Sequence, residues 1–412
     1  MSGLLERFAG SPLRPIAEKV ADGRRLSFED GVALFESPDV LGVGALANFV
    51  REKKHGNTGY YNVNRYLNPT NLCWVDCALC AWARKPGVDG GYTMSIEEAV
   101  AESAAGWHDG ITELHIVGGL HPSLPYSWYL DLLRALKTRF PGVHLKAWTM
   151  VEVDWIARIA KKDVVTVIHE LKAAGMDSCP GGGAEIFEKR VRDVICRDKI
   201  SGERWLEVAR LCHENGVKTN VTMLYGSVET VRDRVDHLVR IRELQDVTRG
   251  FLGFIPLAFH PEETQLPDLP AATGLTDLKV IAVARLMLDN VDHVKAYWIQ
   301  IGEKLAPVAL HFGADDLVGT VTEETITHAA GATTEAGLTR AQMEALIRGA
   351  GRDPFERDAY YERVLRDETG QVLRANRHDF AKREERDSSK VGKKNQDFAS
   401  PAAGLDAAIA SS

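Results

Sequence analysis

Basic charge, cysteine and long apolar runs are all scarce in this chain, and each scarcity removes a class of function. Its 412 residues carry 50 lysines and arginines against 58 aspartates and glutamates, a net charge of -8. With no cationic excess to neutralise a phosphate backbone, nucleic acid is not an expected partner. No stretch approaches the ~20 apolar residues of a membrane span, and Met1 to Val20 has no apolar core of signal-peptide length. We expect no membrane span and a cytoplasmic location. Six cysteines at this length are too few for a disulfide framework, and three of them fall within eight residues, which is metal-site usage in a reducing compartment. The 45% hydrophobic content is ample for a large core, one barrel-sized domain with appendages or two ordinary domains.

The clustered cysteines are Cys73, Cys77 and Cys80, in the run Asn68 to Trp82 with Trp74 and Trp82 beside them. Thiolates spaced Cys-x3-Cys-x2-Cys can hold three corners of a [4Fe-4S] cube and leave the fourth iron without a protein ligand. Zinc would require a fourth nitrogen or sulfur, and the next candidates, His108 and Cys179, are far along the chain. Three unrelated buried cysteines are the plain alternative, and an iron-sulfur or zinc protein that only senses is the non-enzymatic one.

Around this run the chain alternates between strand and helix patterns. Residues 1–58 read as an N-terminal helical extension, with Ser27 capping a helix through Val32, Leu34 and Phe35; closing one end of the core is an expected role for it. Strands are expected at 60–67, 111–117, 144–151, 176–178, 218–225, 250–259 and 294–299. Between them lie helices opening near Ser95, at 126–140, 155–174, 185–194, 203–215, 229–245 and 277–288. That alternation implies a parallel sheet with right-handed crossovers. The fold class is therefore α/β: a (β/α) barrel, complete or nearly complete and TIM-like, over 59–365. Residues 366–412, charged and without apolar periodicity, are expected to be a largely disordered, mobile tail.

In such a barrel the site lies at the C-terminal strand ends, and those ends supply the candidates. Gly118 and Gly119 either admit a ligand to the backbone or simply turn the chain. Thr149 and Glu152 offer a hydroxyl and a carboxylate to a ligand, or cap the following helix. Gly181, Gly182 and Gly183 precede a helix, so their amides can form an anion nest for a substrate carboxylate. Tyr225 and Gly226 flank a ligand or fill the barrel. His260 and His121 are the candidate catalytic histidines, with His311 expected at the mouth as a substrate contact. Arg285, in an apolar helix, reads as a structural ion pair, and Cys196 and Cys212 as core residues.

The cysteine run resembles the signature of the radical S-adenosylmethionine superfamily, except that Leu79 stands where an aromatic residue usually precedes the third cysteine. With Ile116 to Pro122, Pro180 to Phe187, Thr222 to Gly226 and Phe254 to Pro261 it is similar to the aminofutalosine synthase family of the futalosine route to menaquinone, from about Leu41 to Tyr361. The resemblance implies a [4Fe-4S] cluster on Cys73, Cys77 and Cys80. It also implies S-adenosylmethionine (SAM) as a consumed cosubstrate, its methionyl amine met by Gly118 and Gly119 and its nucleoside by Tyr225 and Gly226. A 5'-deoxyadenosyl radical would add to the enol-pyruvyl double bond of 3-[(1-carboxyvinyl)oxy]benzoate. Rearrangement and loss of a carboxylate would give 6-amino-6-deoxyfutalosine, with a flavodoxin or ferredoxin as reductant. Sibling enzymes, the dehypoxanthine futalosine cyclases and deazaflavin synthases, share the spacing and are the alternative. Since a thiol would quench the radical, Cys179 is expected to point away from the pocket.

Overall fold

A computed structural model describes residues 2–108 and 110–374, apart from the side chains of Ser2 and Arg374. Four helices lead: α1 (Ser2–Arg7), α2 (Arg14–Ala21), α3 (Phe28–Glu36) and α4 (Val40–His55). Ser27 caps α3 as expected, in a reciprocal box where its hydroxyl accepts from the Asp30 amide and Asp30 accepts from the Ser27 amide. Next come β1 (Thr58–Asn62), β2 (Asn64–Leu67), β3 (Glu113–Ile116), β4 (His144–Ala147), β5 (Ser178–Cys179), β6 (Lys218–Tyr225) and β7 (Phe251–Ala258). The single strand expected over 60–67 is broken at Val63, where one element turns from one sheet to the next.

β2 to β7 form one six-stranded sheet in sequence order, every neighbour parallel. β6 is buried along nearly its whole length, as a parallel strand covered on both faces must be. The crossovers are α5 (Ile96–Ala104), α6 (Tyr126–Arg139), α7 (Met150–Ala160) with α8 (Val164–Ala174), α9 (Lys189–Ile195) with α10 (Gly202–Glu214), and α11 (Val231–Thr248); α12 (Gly274–Met287) follows β7. The helix expected over 155–174 is two helices. Lys161 takes a left-handed φ of 53° and Asp163 then caps α8, accepting from the Thr166 amide at 2.9 Å.

The barrel closes through single bridges. Val294 pairs with Phe254 of β7, and Lys295 pairs with Asp316 of β8 (Asp316–Gly319). β8 pairs with β1, and Thr322 beyond it pairs with Arg65 of β2. The strand expected over 294–299 is thus only a two-residue pairing before the chain enters a short helix, Trp298–Ile301.

The N-terminal helices do not close the barrel. α3 packs on α11 and α12, and α4 on α12. The end opposite the strand C-termini is covered by residues 353–366: β9 (Asp353–Glu356) pairs with β1, Tyr360 donates to the carbonyl of Asp177 at 2.9 Å, and Arg366 donates to that of Gly110 at 2.7 Å. A hairpin of β10 (Leu365–Arg366) and β11 (Val372–Arg374) ends the described chain. The expected tail therefore begins no earlier than 375, and 375–412 lie outside the described residues.

Charges fill this lower half. Lys146 and Glu113 pair at 2.6 Å, while Arg357 lies 2.6 Å from Asp316, whose other neighbours are the Tyr361 hydroxyl and Lys295. Removing Arg357 would take from buried Asp316 its nearest opposite charge and leave only the more distant Lys295, a loss of about 3–5 kcal/mol. Arg357→Met should lower stability by about that amount in denaturant unfolding, whereas Arg24→Ala, which breaks an exposed pair with Asp22, should cost under ~0.5 kcal/mol.

Candidate active site at the barrel mouth

The run after β2 does not turn straight into a helix. It folds back over the end of β3, held by backbone bonds at both edges: the Cys73 amide to the Arg84 carbonyl at 2.9 Å, and the Trp74 amide to the Leu120 carbonyl at 2.8 Å. Gly119 makes this approach possible. A Cβ there would lie 2.2 Å from the Leu72 carbonyl oxygen, and one on Gly118 3.3 Å from that of Thr70. Gly119 is therefore required by the cysteine run itself, with Gly118 packed closely beside it.

Cys73, Cys77 and Cys80 all line one cavity of about 320 Å³ at the barrel mouth. The Leu120 amide points at the Cys73 sulfur (3.3 Å) and the Ala83 amide at that of Cys80 (3.4 Å). Burial pushes the Cys77 thiol up to about 12, while nearby Lys199 pulls it down. Three sulfurs at one wall, two met by amides and the third near an ammonium, fit a cluster that takes them as thiolates.

The facing wall comes from the other strand ends. Glu152 caps α7 and also reaches across: one oxygen accepts from the amide and hydroxyl of Thr149, the other from the Gly118 amide at 2.8 Å. Burial raises its carboxyl to about 7, against the pull of those bonds. The cap reading of Glu152 holds, and the same side chain also fixes Gly118 and lines the cavity.

Gly181, Gly182 and Gly183 line it too. A Cβ on Gly181 would lie 2.7 Å from the Val221 backbone, and Gly183 has a φ of +81° that favours glycine. Arg192 braces this loop by donating to the carbonyls of Ala184 and Ile186. His260 lines the cavity, with Nε2 3.2 Å from the Gln300 carbonyl.

Four expected residues are elsewhere. Tyr225 is fully buried, its hydroxyl donating to Asp277 at 2.9 Å, so it packs between β6 and α12. Gly226 starts the turn braced by Glu229, to which its amide donates. His121 turns inward as a local brace, Nδ1 accepting from the amides of Ser123 and Leu124. His311 lies against residues 350–352, where it meets the Ala350 carbonyl and Arg352. None of the four lines the cavity.

Lys199 is the residue the sequence did not disclose. It pairs with Glu185 at 2.7 Å inside the cavity wall. Burial opposes its charge, but Glu185 and Cys77 leave its pKa raised, so it is an ammonium. In sequence it closes an Arg197-Asp198-Lys199 run that looks like solvated loop. Cys179 is buried with its sulfur 3.8 Å from that of Met176 and does not line the cavity, as expected. Arg285 is the expected ion pair, with Asp315.

Two family models divide the chain: the radical SAM superfamily over residues 67–241, and the CofH/MqnC C-terminal region over 248–369. The aminodeoxyfutalosine synthase of Thermus thermophilus is 48% identical over 356 residues, 85% of this chain and 96% of its own. The chain belongs to the aminodeoxyfutalosine synthase family of radical SAM enzymes. A cyclic dehypoxanthine futalosine synthase of Streptomyces coelicolor is more distant, 36% identical over 86% of this chain and 89% of its own. Among solved structures, methylornithine synthase superposes with a TM-score of 0.65 at 17% identity, over 82% of this chain and 96% of that one, a likeness of fold. The family uses a [4Fe-4S] cluster and SAM, and Cys73, Cys77 and Cys80, which line the cavity together, are the residues that would hold the cluster.

The dependence of the cysteine run on Gly119 is directly testable. Gly119→Ala should abolish most cluster iron after anaerobic reconstitution, read by iron content and visible absorbance. Gly142→Ala, with nothing within 4 Å of the added carbon, should retain it.

Proposed function

We propose that this chain catalyses the aminodeoxyfutalosine synthase reaction. SAM and 3-[(1-carboxyvinyl)oxy]benzoate are joined through the adenosyl C5', with loss of one carboxylate as carbon dioxide or bicarbonate, to give 6-amino-6-deoxyfutalosine and methionine. The cytoplasm and a reductant of flavodoxin or ferredoxin type belong to the same reading. What carries it is the cavity: among the described residues, the cysteines that line it are the three of the motif, so no further thiol competes with a double bond for a radical.

With a [4Fe-4S] cluster and SAM bound, the site is supplied with a 5'-deoxyadenosyl radical. The chain's own residues then hold, orient and exclude. Glu152 fixes the Gly118 amide, and the Gly118, Gly119 and Thr149 edge faces the cosubstrate beside the cysteines. On the other side, Lys199 and the amides of Gly181, Gly182 and Gly183 meet the substrate's carboxylates, and His260 stands at the rim as a further hydrogen-bonding group. The wall's carboxylates are already committed, Glu185 to Lys199 and Glu324 to Thr327 and His328, which reduces repulsion of a dianion. Ile255, Leu257 and Val318 complete the wall with apolar surface that excludes water.

Anaerobic incubation of the reconstituted chain with dithionite, SAM and 3-[(1-carboxyvinyl)oxy]benzoate should yield an adenosine-containing adduct short of one carboxylate, identified by mass spectrometry. Formation of 5'-deoxyadenosine alone would transfer the substrate assignment to a sibling chemistry. Lys199→Met should raise KM for the benzoate by about tenfold or more, the expected scale for losing a charged hydrogen bond worth ~1.5–3 kcal/mol.

A further inference from the structure

Three side chains from three separate segments converge at the strand-start end of the barrel. His55 ends α4, His293 directly precedes the bridging residue Val294, and Asp315 directly precedes β8. One ligating atom of each lies within 4.8 Å of the others. His293 Nδ1 is 2.6 Å from Asp315 Oδ2, and His55 Nε2 is 3.7 Å from the same oxygen. The two imidazoles stack with centroids 5.0 Å apart. Meanwhile the Arg285 guanidinium and the Val294 amide hold Asp315 Oδ1. The carboxylate is thus fixed from behind and offers one oxygen to two imidazoles, of which only His293 is close enough for a hydrogen bond.

We propose that His55 Nε2, His293 Nδ1 and Asp315 Oδ2 bind a divalent cation of the zinc class, separate from the iron-sulfur site. Two imidazole nitrogens and a carboxylate oxygen are the donor set of three-ligand zinc sites, which leave a fourth position to water. Cation entry takes the place of the proton between His293 Nδ1 and Asp315, the neutral ring then carrying its proton on Nε2 through exchange with solvent, and His55 exchanges its 2.8 Å contact with the Asp292 carbonyl for the metal. The side chains are 7%, 12% and 0% exposed, so the site is walled yet reachable. Arg285 acts as the outer partner that orients the carboxylate.

The place gives the cation a structural role. Here the barrel is closed by the isolated bridges Phe254 to Val294 and Lys295 to Asp316. One cation would tie both sides of that seam to each other and to α4, adding a crosslink where the ladder is shortest. The cavity lies at the opposite strand ends, so cluster content and turnover do not depend on it.

The cluster-loaded chain, given equimolar Zn2+ and desalted, should retain one zinc per chain by elemental analysis, and its unfolding midpoint should rise. His55→Gln and His293→Asn, which keep hydrogen-bonding groups, should lose the zinc and the rise while cluster iron stays unchanged. Should either variant misfold, Co2+ added to the unaltered chain decides: a visible absorption band of tetrahedral nitrogen and oxygen ligation is expected. Zinc not retained, zinc retained equally by both variants, or a Co2+ spectrum of the hydrated ion would overturn the site.

Discussion

The site rests on the contact between Gly119 and the carbonyl of Leu72. Because two backbones meet where no Cβ fits, the cysteine run can fold back over the end of β3, and its amides and sulfurs then face the barrel mouth. Glu152 reinforces the same junction from the opposite side by capping α7 with one oxygen and holding Gly118 with the other. Three consecutive units of the barrel are thereby joined at their C-terminal ends, before any ligand is bound.

The two ends of the barrel are built from different chemistry. At the mouth, apolar side chains and glycine backbone leave a cavity whose few carboxylates are hydrogen-bonded or paired. Below it, Glu113, Lys146, Lys295, Asp316 and Arg357 form a buried charged layer, covered by residues 353–366. Burial lowers the Lys295 ammonium to about 7 despite Asp316, so this layer balances desolvation against pairing closely. Such a layer specifies which segment plugs the base, and Arg357 is the residue that locks it to β8.

Much of this was legible in the chain alone. Cysteine spacing, strand-helix alternation and the capping boxes at Ser27 and Ser95 are local signals, and local signals survive into the fold. Side-chain direction is not local. His121 and Tyr225 stand at strand ends, as functional residues do, yet one turns back to its own loop and the other inward to Asp277. His311 misled for a similar reason, since a histidine two residues before a glycine carries no sign of which end of the barrel it serves. Lys199 was hidden by its charged neighbours, and the base plug went unread because its contacts, Arg357 with Asp316 and Tyr360 with the Asp177 carbonyl, join segments far apart in sequence. The deciding information in each case is a partner distant in sequence.

The central claim is that the three cysteines leave one iron open to the cosubstrate. Cys196 is the residue that bears on it, because it is a buried thiol close enough to Cys77 to help raise the Cys77 pKa. Electron paramagnetic resonance of the reduced, reconstituted chain with and without SAM tests the claim most directly. An open iron predicts that SAM shifts the cluster's g-values, equally in the unaltered chain and in Cys196→Ala. A spectrum indifferent to SAM, with cluster lost in Cys196→Ala, would show a fourth protein ligand and contradict the account.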